Sequence, residues 1–259
     1  RAGAHDADMI IAANGINSWV RDEFVDHFKP SFDWRPNKFV WLGSTKPLPA
    51  FTFDFRENEA GIWNLHAYQY NSEMSTMIVE TTEQTWKKAG MEKASEDETV
   101  AYVSNLYADL LDGHPIITNR SVWRNFPMIR CETWVKDNLV IMGDCAHTAH
   151  YSIGSGTKLA MEDAIALFEC CKQEANPREA LKLYDASRRD EVERTQHAAD
   201  VSLSWFENVR RYWGMDPVQF NFSLMSRSKA ITYDNLRLRD REFVKAIDKA
   251  FSDEAAEKF

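Results

Sequence analysis

Residues 138–168 read NLVIMGDCAHTAHYSIGSGTKLAMEDAIALF, and the fold turns on how this stretch is understood. Asn138 to Met142 is a short apolar run of the kind that forms a buried strand. It enters Gly143-Asp144, which delivers a carboxylate to a strand end, where it can accept hydrogen bonds from ligand hydroxyls. Gly154 and Gly156 let the backbone approach a flat or phosphorylated ligand closely. A helix is predicted from about Lys158 to Lys172. Its free N–H groups and dipole favour negative charge at Thr157 and Lys158. Strand, acid, glycine turn and helix together describe a nucleotide-like or flavin site. The same spacing also suits an ordinary strand-to-helix connection with Asp144 as a cap, and the pattern alone leaves both open.

Upstream, Ala7 to Ala13 (ADMIIAA) is a second short apolar run, ending in the turn Asn14-Gly15. Asn17 to Phe28 has a mixed helical pattern. Between Lys38 and Thr82 the texture changes to KFVWLGS, AFTFDFR, IWNLHAYQY and STMIVETT, separated by KPLPA, ENEAG and NSEM. β-Branched and aromatic runs at this spacing predict an antiparallel sheet of about four strands. Glu83 to Lys88 is read as a short helix and Ser95 to Leu111 as a longer one, with Ser95 and Glu98 forming a capping box. Ser121 to Val135 is read as extended.

Downstream, Pro177 suits the first turn of a helix running to about Trp213. Asp216-Pro217 breaks it, and the last forty or so residues are helical and charge-rich. The opening RAGAHDADMIIAANG leaves no room for an element before its first apolar run, so the start reads as the middle of a larger domain.

The 259 residues are 44% hydrophobic, 27% charged and 12% aromatic, enough for one large domain or two smaller ones with real cores. Forty acidic against 31 basic residues, a net charge of -9, argues against a nucleic-acid-binding body. No apolar run approaches the roughly 18 residues of a membrane span, and no signal peptide opens the chain. Cys131, Cys145, Cys170 and Cys171 show no CxxC or Cys/His metal spacing. They are expected to be reduced, the adjacent pair buried, in a cytoplasmic protein. His5, His27, His114 and His197 show no metal spacing either, so no metal is assigned.

At this point two motifs acquire a common meaning. GDCAHTAHYSIGSGTKLAMEDA resembles the GDAAH motif of the single-component FAD-dependent aromatic hydroxylases, which share the fold of p-hydroxybenzoate hydroxylase. AANGINSWVR, Ala12 to Arg21, resembles that family's second flavin motif, ADGxxSxVR. They stand in the family's order with β-rich sequence between them, where the family places its substrate domain. The HTAHYSIGSGTK variant, the WLGSTKP stretch and the tail RSKAITYDNLRLRD are similar to one branch. That branch holds the monooxygenase parts of salicylyl-CoA 5-hydroxylase and 2-aminobenzoyl-CoA monooxygenase/reductase.

The resemblance implies an α+β / α/β chain: an antiparallel substrate-domain sheet plus the C-terminal half of a flavin-binding domain. Residues 1–30 and 120–215 would form the partial FAD-binding domain, 31–119 the substrate-binding sheet, and 216–259 a C-terminal helical segment. Asp144, following Gly143, would bind the ribityl chain of FAD. Gly154 belongs to the same turn, and Gly156, Thr157 and Lys158 would place N–H groups near the flavin pyrimidine edge. Asn14, Gly15 and Arg21 would lie by the pyrophosphate and ribose. His150, Tyr151 and Ser152 match the segment facing the substrate ring. His66 and Tyr68, two apart on IWNLHAYQY, share one sheet face; they are substrate contacts if that face covers the flavin, and satisfied sheet residues otherwise. His147 is read as structural. Arg188, Arg189, Arg227, Lys229, Arg237, Arg239 and Arg241 could meet CoA phosphates, form a solvated face, or dock on another domain.

The activity implied is aromatic hydroxylation, of an aryl-CoA thioester, through a flavin C4a-hydroperoxide after reduction by NAD(P)H. No side-chain nucleophile is needed, and no catalytic residue is assigned. The departures are Asn14 for Asp, Cys145 for Ala, His150-Tyr151 for Pro-Pro and Lys158 for Asn. The family's opening GxGxxG, which holds the ADP half of FAD, has no match here. The chain therefore reads as a fragment, inactive by itself, with a further C-terminal catalytic domain conceivable in the parent. Two rivals stay open: a hydroxylase of a free indole or phenol, and a non-catalytic substrate-binding or interaction module.

Overall fold

The computed structural model describes residues 7–257. His5 and the opening six residues, on which the reading of the chain start rests, lie outside the described residues. In chain order the elements are β1 (Ile10–Ala12), α1 (Trp19–Glu23), α2 (Val25–Phe28), β2 (Pro30–Ser44), β3 (Thr52–Glu57), β4 (Ile62–Asn71) and β5 (Met74–Thr81). Then follow α3 (Glu83–Lys88), α4 (Glu96–Leu106), α5 (Ala108–Leu111), β6 (Ile116–Ile117), β7 (Arg124–Cys131), β8 (Val135–Lys136) and β9 (Leu139–Ile141). The rest is helical: α6 (Gly156–Gln173), α7 (Pro177–Glu207), α8 (Pro217–Ser226), α9 (Tyr233–Arg239) and α10 (Arg241–Glu257). Among the described residues no helix is long and apolar enough to cross a membrane.

Two compact units emerge. The first comprises the chain up to Asp33, Pro127–Trp205 and Tyr212 onward; the second comprises Trp34–Phe126 and Phe206–Arg211.

In the first unit β1 pairs parallel with β9, Ala12 opposite Ile141, and β8 pairs antiparallel with β9. Strand β9 is buried at all three residues, as expected of a strand with neighbours on both sides. Its core joins Val140 and Ile141 to Leu159 and Leu167 of α6 and to Leu181, Tyr184 and Val192 of α7. Helix α1 starts at Ser18, whose hydroxyl accepts from the Arg21 N–H, and α8 starts at Asp216 with Pro217 in its first turn.

In the second unit the strand order is β3-β4-β5-β2-β6, with β7 also pairing β2. The pairs β3–β4, β4–β5, β2–β5 and β2–β6 are antiparallel. One face buries Val40, Leu42, Trp63, Leu65, Met77 and Val79 against Val103 and Tyr107 of the helical layer. Each such side chain contributes roughly 1.5–3 kcal/mol on burial. The opposite face carries Phe53, His66 and Tyr68, with Phe53 and His66 directly paired.

Several expected boundaries move. The sheet has six strands, and β2 begins at Pro30 rather than Lys38; its first residues are largely exposed, so they carry no burial alternation to read. The capping box at Ser95 and Glu98 is present, but the helix breaks at Tyr107, whose backbone leaves helical geometry (φ -114°, ψ 28°). Helix α6 starts two residues earlier than expected, at Gly156, and α7 ends at Glu207 before reaching Trp213. Of the adjacent cysteines, Cys170 is buried and Cys171 exposed, because consecutive helical residues point about 100° apart.

Candidate functional site

The parallel pairing of β1 and β9 sets the two glycine-containing turns at the carboxyl ends of adjacent strands, which in open α/β sheets is where ligands bind. The Met142 N–H donates to the Ala12 carbonyl at 3.0 Å, continuing the ladder to the brink of both turns. Beyond it, Ser18 Oγ donates to Asn14 Oδ1 at 2.6 Å, and Cys145 Sγ lies 2.9 Å from Ser18 Oγ as donor.

Arg21 is 2% exposed. Its Nη1 donates to the Cys145 carbonyl (3.2 Å), Nη2 to the Ile16 carbonyl (3.0 Å) and Nε to Asp22 (3.1 Å). The guanidinium lies 4.9 Å from the Phe32 ring centroid. These bonds spend its donors within the protein, and the two to backbone carbonyls tie the turn after β1 to the turn after β9.

Asp144 differs. It lies in a single 3-10 turn, Gly143–Cys145, and its side chain is exposed. No hydrogen bond or ion pair engages its carboxylate among the described residues. Desolvation by the crowded turn pushes its pKa above the usual carboxylate value, and the neighbouring His147 offsets this in part. Gly143 beneath it has φ +60°, and a Cβ there would meet Ala160 Cβ at 3.3 Å. Glycine is therefore required both by the backbone and by the approach of α6.

Behind the turn stands a network that sequence reading missed. Asp163 is fully buried; its Oδ2 accepts from the Gly143 N–H (2.9 Å) and lies 2.9 Å from His147 Nε2, while Oδ1 accepts from Arg188 Nε (2.9 Å). Burial alone would raise the Asp163 pKa. His147, Arg188 and the Gly143 N–H outweigh it and hold the carboxyl below its usual range. Arg188 also pairs with Glu162 at 2.8 Å and Glu191 at 3.0 Å. Desolvation would lower its pKa, but Asp163 and Glu162 hold it above the ordinary arginine value. Both expectations for Arg188, a phosphate contact or part of a solvated face, are thus corrected: it is a buried countercharge. A sequence signal existed, since Asp163 occupies the same α6 stripe as the buried Leu159, Leu167 and Cys170, an odd place for an acid unless it is paired.

The glycine turn follows. His150 is buried, accepts from the Ser152 N–H at 3.3 Å, and stacks near Tyr151 with centroids 4.0 Å apart. Gly154 takes φ +65° with open space around it. Gly156 opens α6, where no side chain caps the first N–H groups. Thr157 and Lys158 are exposed, and Lys158 pairs with Glu162. Ser152 is 3% exposed and its Oγ has no hydrogen-bond partner among the described residues. Its carbonyl accepts from Arg227 Nη2 at 2.8 Å. Arg227 also donates to Ser202 and Leu224, and burial pushes its pKa down to about 10. It is built into the turn's support, while Lys229, Arg237, Arg239 and Arg241 are exposed. Arg189 packs over Trp134 and pairs with Asp185.

In the second unit His66 is 2% exposed, 3.1 Å from Glu80, with the Phe206 ring centroid 4.5 Å away. Tyr68 stacks on Phe51 at 5.4 Å. Asn37 Nδ2 donates to the other Glu80 oxygen at 2.7 Å. Four cysteines are free, and no cluster of three metal-ligating side chains occurs among the described residues.

A flavin and its ribityl chain need a carboxylate free to accept hydroxyls and backbone N–H groups unshielded by side chains. Asp144 and the start of α6 supply both, so the residues present fit that half of the cofactor.

A family model for FAD binding domains matches residues 1–199. The chain is 39% identical over 254 residues to salicyloyl-CoA 5-hydroxylase of Streptomyces sp, covering 94% of this chain and 49% of that protein. It is 35% identical over 204 residues to the 3-hydroxy-4-methyl-anthranilyl-[aryl-carrier protein] 5-monooxygenase of Streptosporangium sibiricum, covering 79% and 54%. The chain thus spans about half the length of these relatives. A crystal structure of 2-methyl-3-hydroxypyridine-5-carboxylic acid oxygenase superposes with a TM-score of 0.62 at 16% identity, over 89% of this chain and 60% of that one. The expected fold class stands.

Proposed function

The chain belongs to the FAD binding domain family, and from that membership we propose that it is the flavin- and substrate-binding part of an FAD- and NAD(P)H-dependent monooxygenase hydroxylating an aromatic ring carried as an aryl-CoA thioester. The observation that carries this reading is the β1–β9 pair, which sets Asn14-Gly15 beside Gly143-Asp144 at adjacent strand ends. The thioester is supported by the likeness to an enzyme named for a salicyloyl-CoA substrate and to one named for an aryl-carrier protein.

FAD, when bound, supplies the redox chemistry and oxygen activation. The chain's residues bind, orient and exclude water. Asp144 accepts hydrogen bonds from ribityl hydroxyls. The uncapped start of α6 at Gly156, Thr157 and Lys158 would offer backbone N–H groups and a positive dipole end to the pyrimidine edge of the flavin. Gly154 keeps the approach free of side chains. Asn14 and Gly15 would hold the ribose and pyrophosphate, with Arg21 fixing that turn through the Ile16 and Cys145 carbonyls. His150, Tyr151 and Ser152 of the first unit, and His66 and Tyr68 of the second, would be the substrate contacts. In this reading residues 1–30 and 120–215 carry the flavin, 31–119 the substrate sheet, and 216–259 the C-terminal helices. A cavity of about 760 Å³ beside the turn, with Ile153, Ser155, Arg194 and Arg227 in its walls, suits an extended acyl carrier. A further domain in the parent and a cytoplasmic setting belong to the same proposal.

The test is a titration of the chain with FAD, followed by flavin absorbance and fluorescence, with and without benzoyl-CoA. The expected result is weak saturable binding, a shifted flavin band when benzoyl-CoA but not benzoate is added, and no turnover. Absence of any saturable flavin change would overturn the reading in favour of a non-catalytic module. Equal effects of benzoate or indole would move the substrate to a free aromatic.

A further inference from the structure

We propose that the cavity beside the glycine turn receives the phosphopantetheine arm that CoA thioesters and carrier-protein thioesters have in common, and that Arg194 binds the phosphate of that arm.

The cavity encloses about 760 Å³, in the upper part of the roughly 300–1,000 Å³ that small-molecule pockets span. Ile153, Met225 and Ile231 give it an aliphatic surface, and none of the described residues lining it is aromatic. A stacked ring, whether adenine or the aryl group, finds no matching surface there. A flexible chain of methylenes and amides does. Thr195 and Ser155 also stand in the walls. Each spends its own hydroxyl hydrogen on a backbone carbonyl, of Glu191 at 2.9 Å and of Ile153 at 3.4 Å. Their oxygens are left to accept from the amide N–H groups of such an arm.

The charge in the walls is positive. Arg194 is exposed, so a molecule in the cavity reaches it directly. Its Nε donates to the Asp190 carbonyl at 3.1 Å, and no carboxylate pairs with its guanidinium among the described residues. The two terminal amino groups remain to grip a phosphate in the bidentate manner that suits arginine. Arg227 lines the same cavity. Burial lowers its pKa to about 10, and an anion nearby would offset that penalty on its charge. Glu191, the acid in the walls, is already held by Arg188 at 3.0 Å. A chain of net charge -9 repels anions as a whole; these walls are a local exception.

Ile153 and Ser155 flank Gly154 in the chain, so the cavity borders the turn assigned to the flavin. Delivery of an acyl group to that turn rests on the proposed function; binding of the phosphorylated arm does not.

The full chain without flavin is titrated by calorimetry with 4′-phosphopantetheine and with pantetheine, which lacks only the phosphate. The phosphorylated compound is expected to bind saturably, and pantetheine at least about tenfold more weakly, a difference of 1.4 kcal/mol. Arg194→Gln should bring 4′-phosphopantetheine down to the level of pantetheine while circular dichroism is unchanged. Lys249→Gln, at an exposed position outside the cavity, should leave binding as it was. CoA, and an acyl carrier protein with and without its phosphopantetheine, are then compared on the original chain and on Arg194→Gln. An Arg194-dependent gain for CoA assigns the free thioester as the source of the arm, and one for the modified carrier protein assigns the carrier. No binding of 4′-phosphopantetheine, equal binding of the two small compounds, undiminished binding by Arg194→Gln, or an equal loss in Lys249→Gln would overturn the proposal. So would binding of CoA and carrier protein that is indifferent to Arg194. A failed flavin titration would leave it untouched.

Discussion

Arg21 and Cys145 stand 124 positions apart and are joined by a hydrogen bond from the guanidinium Nη1 to the cysteine carbonyl at 3.2 Å. With the companion bond to the Ile16 carbonyl, it makes the end of β1 and the end of β9 one rigid piece. Arg21→Ala strands two carbonyls and should destabilise the first unit by about 2–4 kcal/mol. Arg21→Lys should recover only part, because an ammonium lacks the fork that reaches both carbonyls. Urea unfolding of the three proteins measures this ordering.

Asp163 should be visible in the pH dependence of stability. Its folded-state pKa is depressed: burial pushes it up, but His147, Arg188 and the Gly143 N–H push it down further. Stability from it is then fully present above the unfolded pKa of roughly 4. It is lost as pH falls through the lower folded value. Asp163→Asn should cost about 3–5 kcal/mol at pH 7, since it leaves the buried Arg188 short of a countercharge. It should also flatten the acid limb between about pH 5 and 2. An acid limb of unchanged slope would show that other carboxylates dominate.

Asp144 presents the opposite case. Because its carboxylate is exposed and engages nothing among the described residues, Asp144→Ala should change the unfolding free energy by no more than about 0.5 kcal/mol. Flavin affinity should nevertheless fall about tenfold, the loss of one to two hydrogen bonds to a charged acceptor. Thermal unfolding and a flavin titration on the same sample separate the two effects.

The two glycines of the region should not behave alike. Gly143→Ala faces both a left-handed backbone and Ala160 Cβ at 3.3 Å, whereas Gly154→Ala faces the backbone penalty in open space. The expected costs are about 2–3 kcal/mol and about 1 kcal/mol, read from urea midpoints.

Thiol titration with an aromatic disulfide should find one fast-reacting cysteine in the native chain. Cys171 is exposed and the other three are buried. Desolvation pushes the Cys131 thiol up to about 12, so little thiolate forms there. Cys171→Ser should remove the fast phase. Four fast thiols would contradict this burial pattern.

The order of elements and the two motifs were legible along the chain because their signals are local. The apolar run before Gly143-Asp144, the capping box at Ser95 and Glu98, and the Asp216-Pro217 break all depend on residues within a few positions of one another. The roles of charged residues were not legible in this way. Arg188 reads in the sequence as one of several basic residues that could meet phosphates or form a solvated face, and it is instead the buried partner of Asp163, 25 positions away. Arg227, from the same basic cluster, holds the Ser152 carbonyl across 75 positions.

The sequence by itself thus determined the family, the strand–turn–helix around Asp144 and the antiparallel character of the central sheet, since periodicity and turn chemistry act over a few residues. Only the tertiary structure decided which carboxylate stands open and which is sealed. Asp144 and Asp163 are the same residue type in one motif, and the apolar stripe that marks Asp163 as buried does not say which groups neutralise it. One ends a strand facing outward, and the other sits on the buried stripe of α6. There a lone charge could not persist in a low-dielectric interior without His147, Arg188 and the Gly143 N–H brought to it by folding.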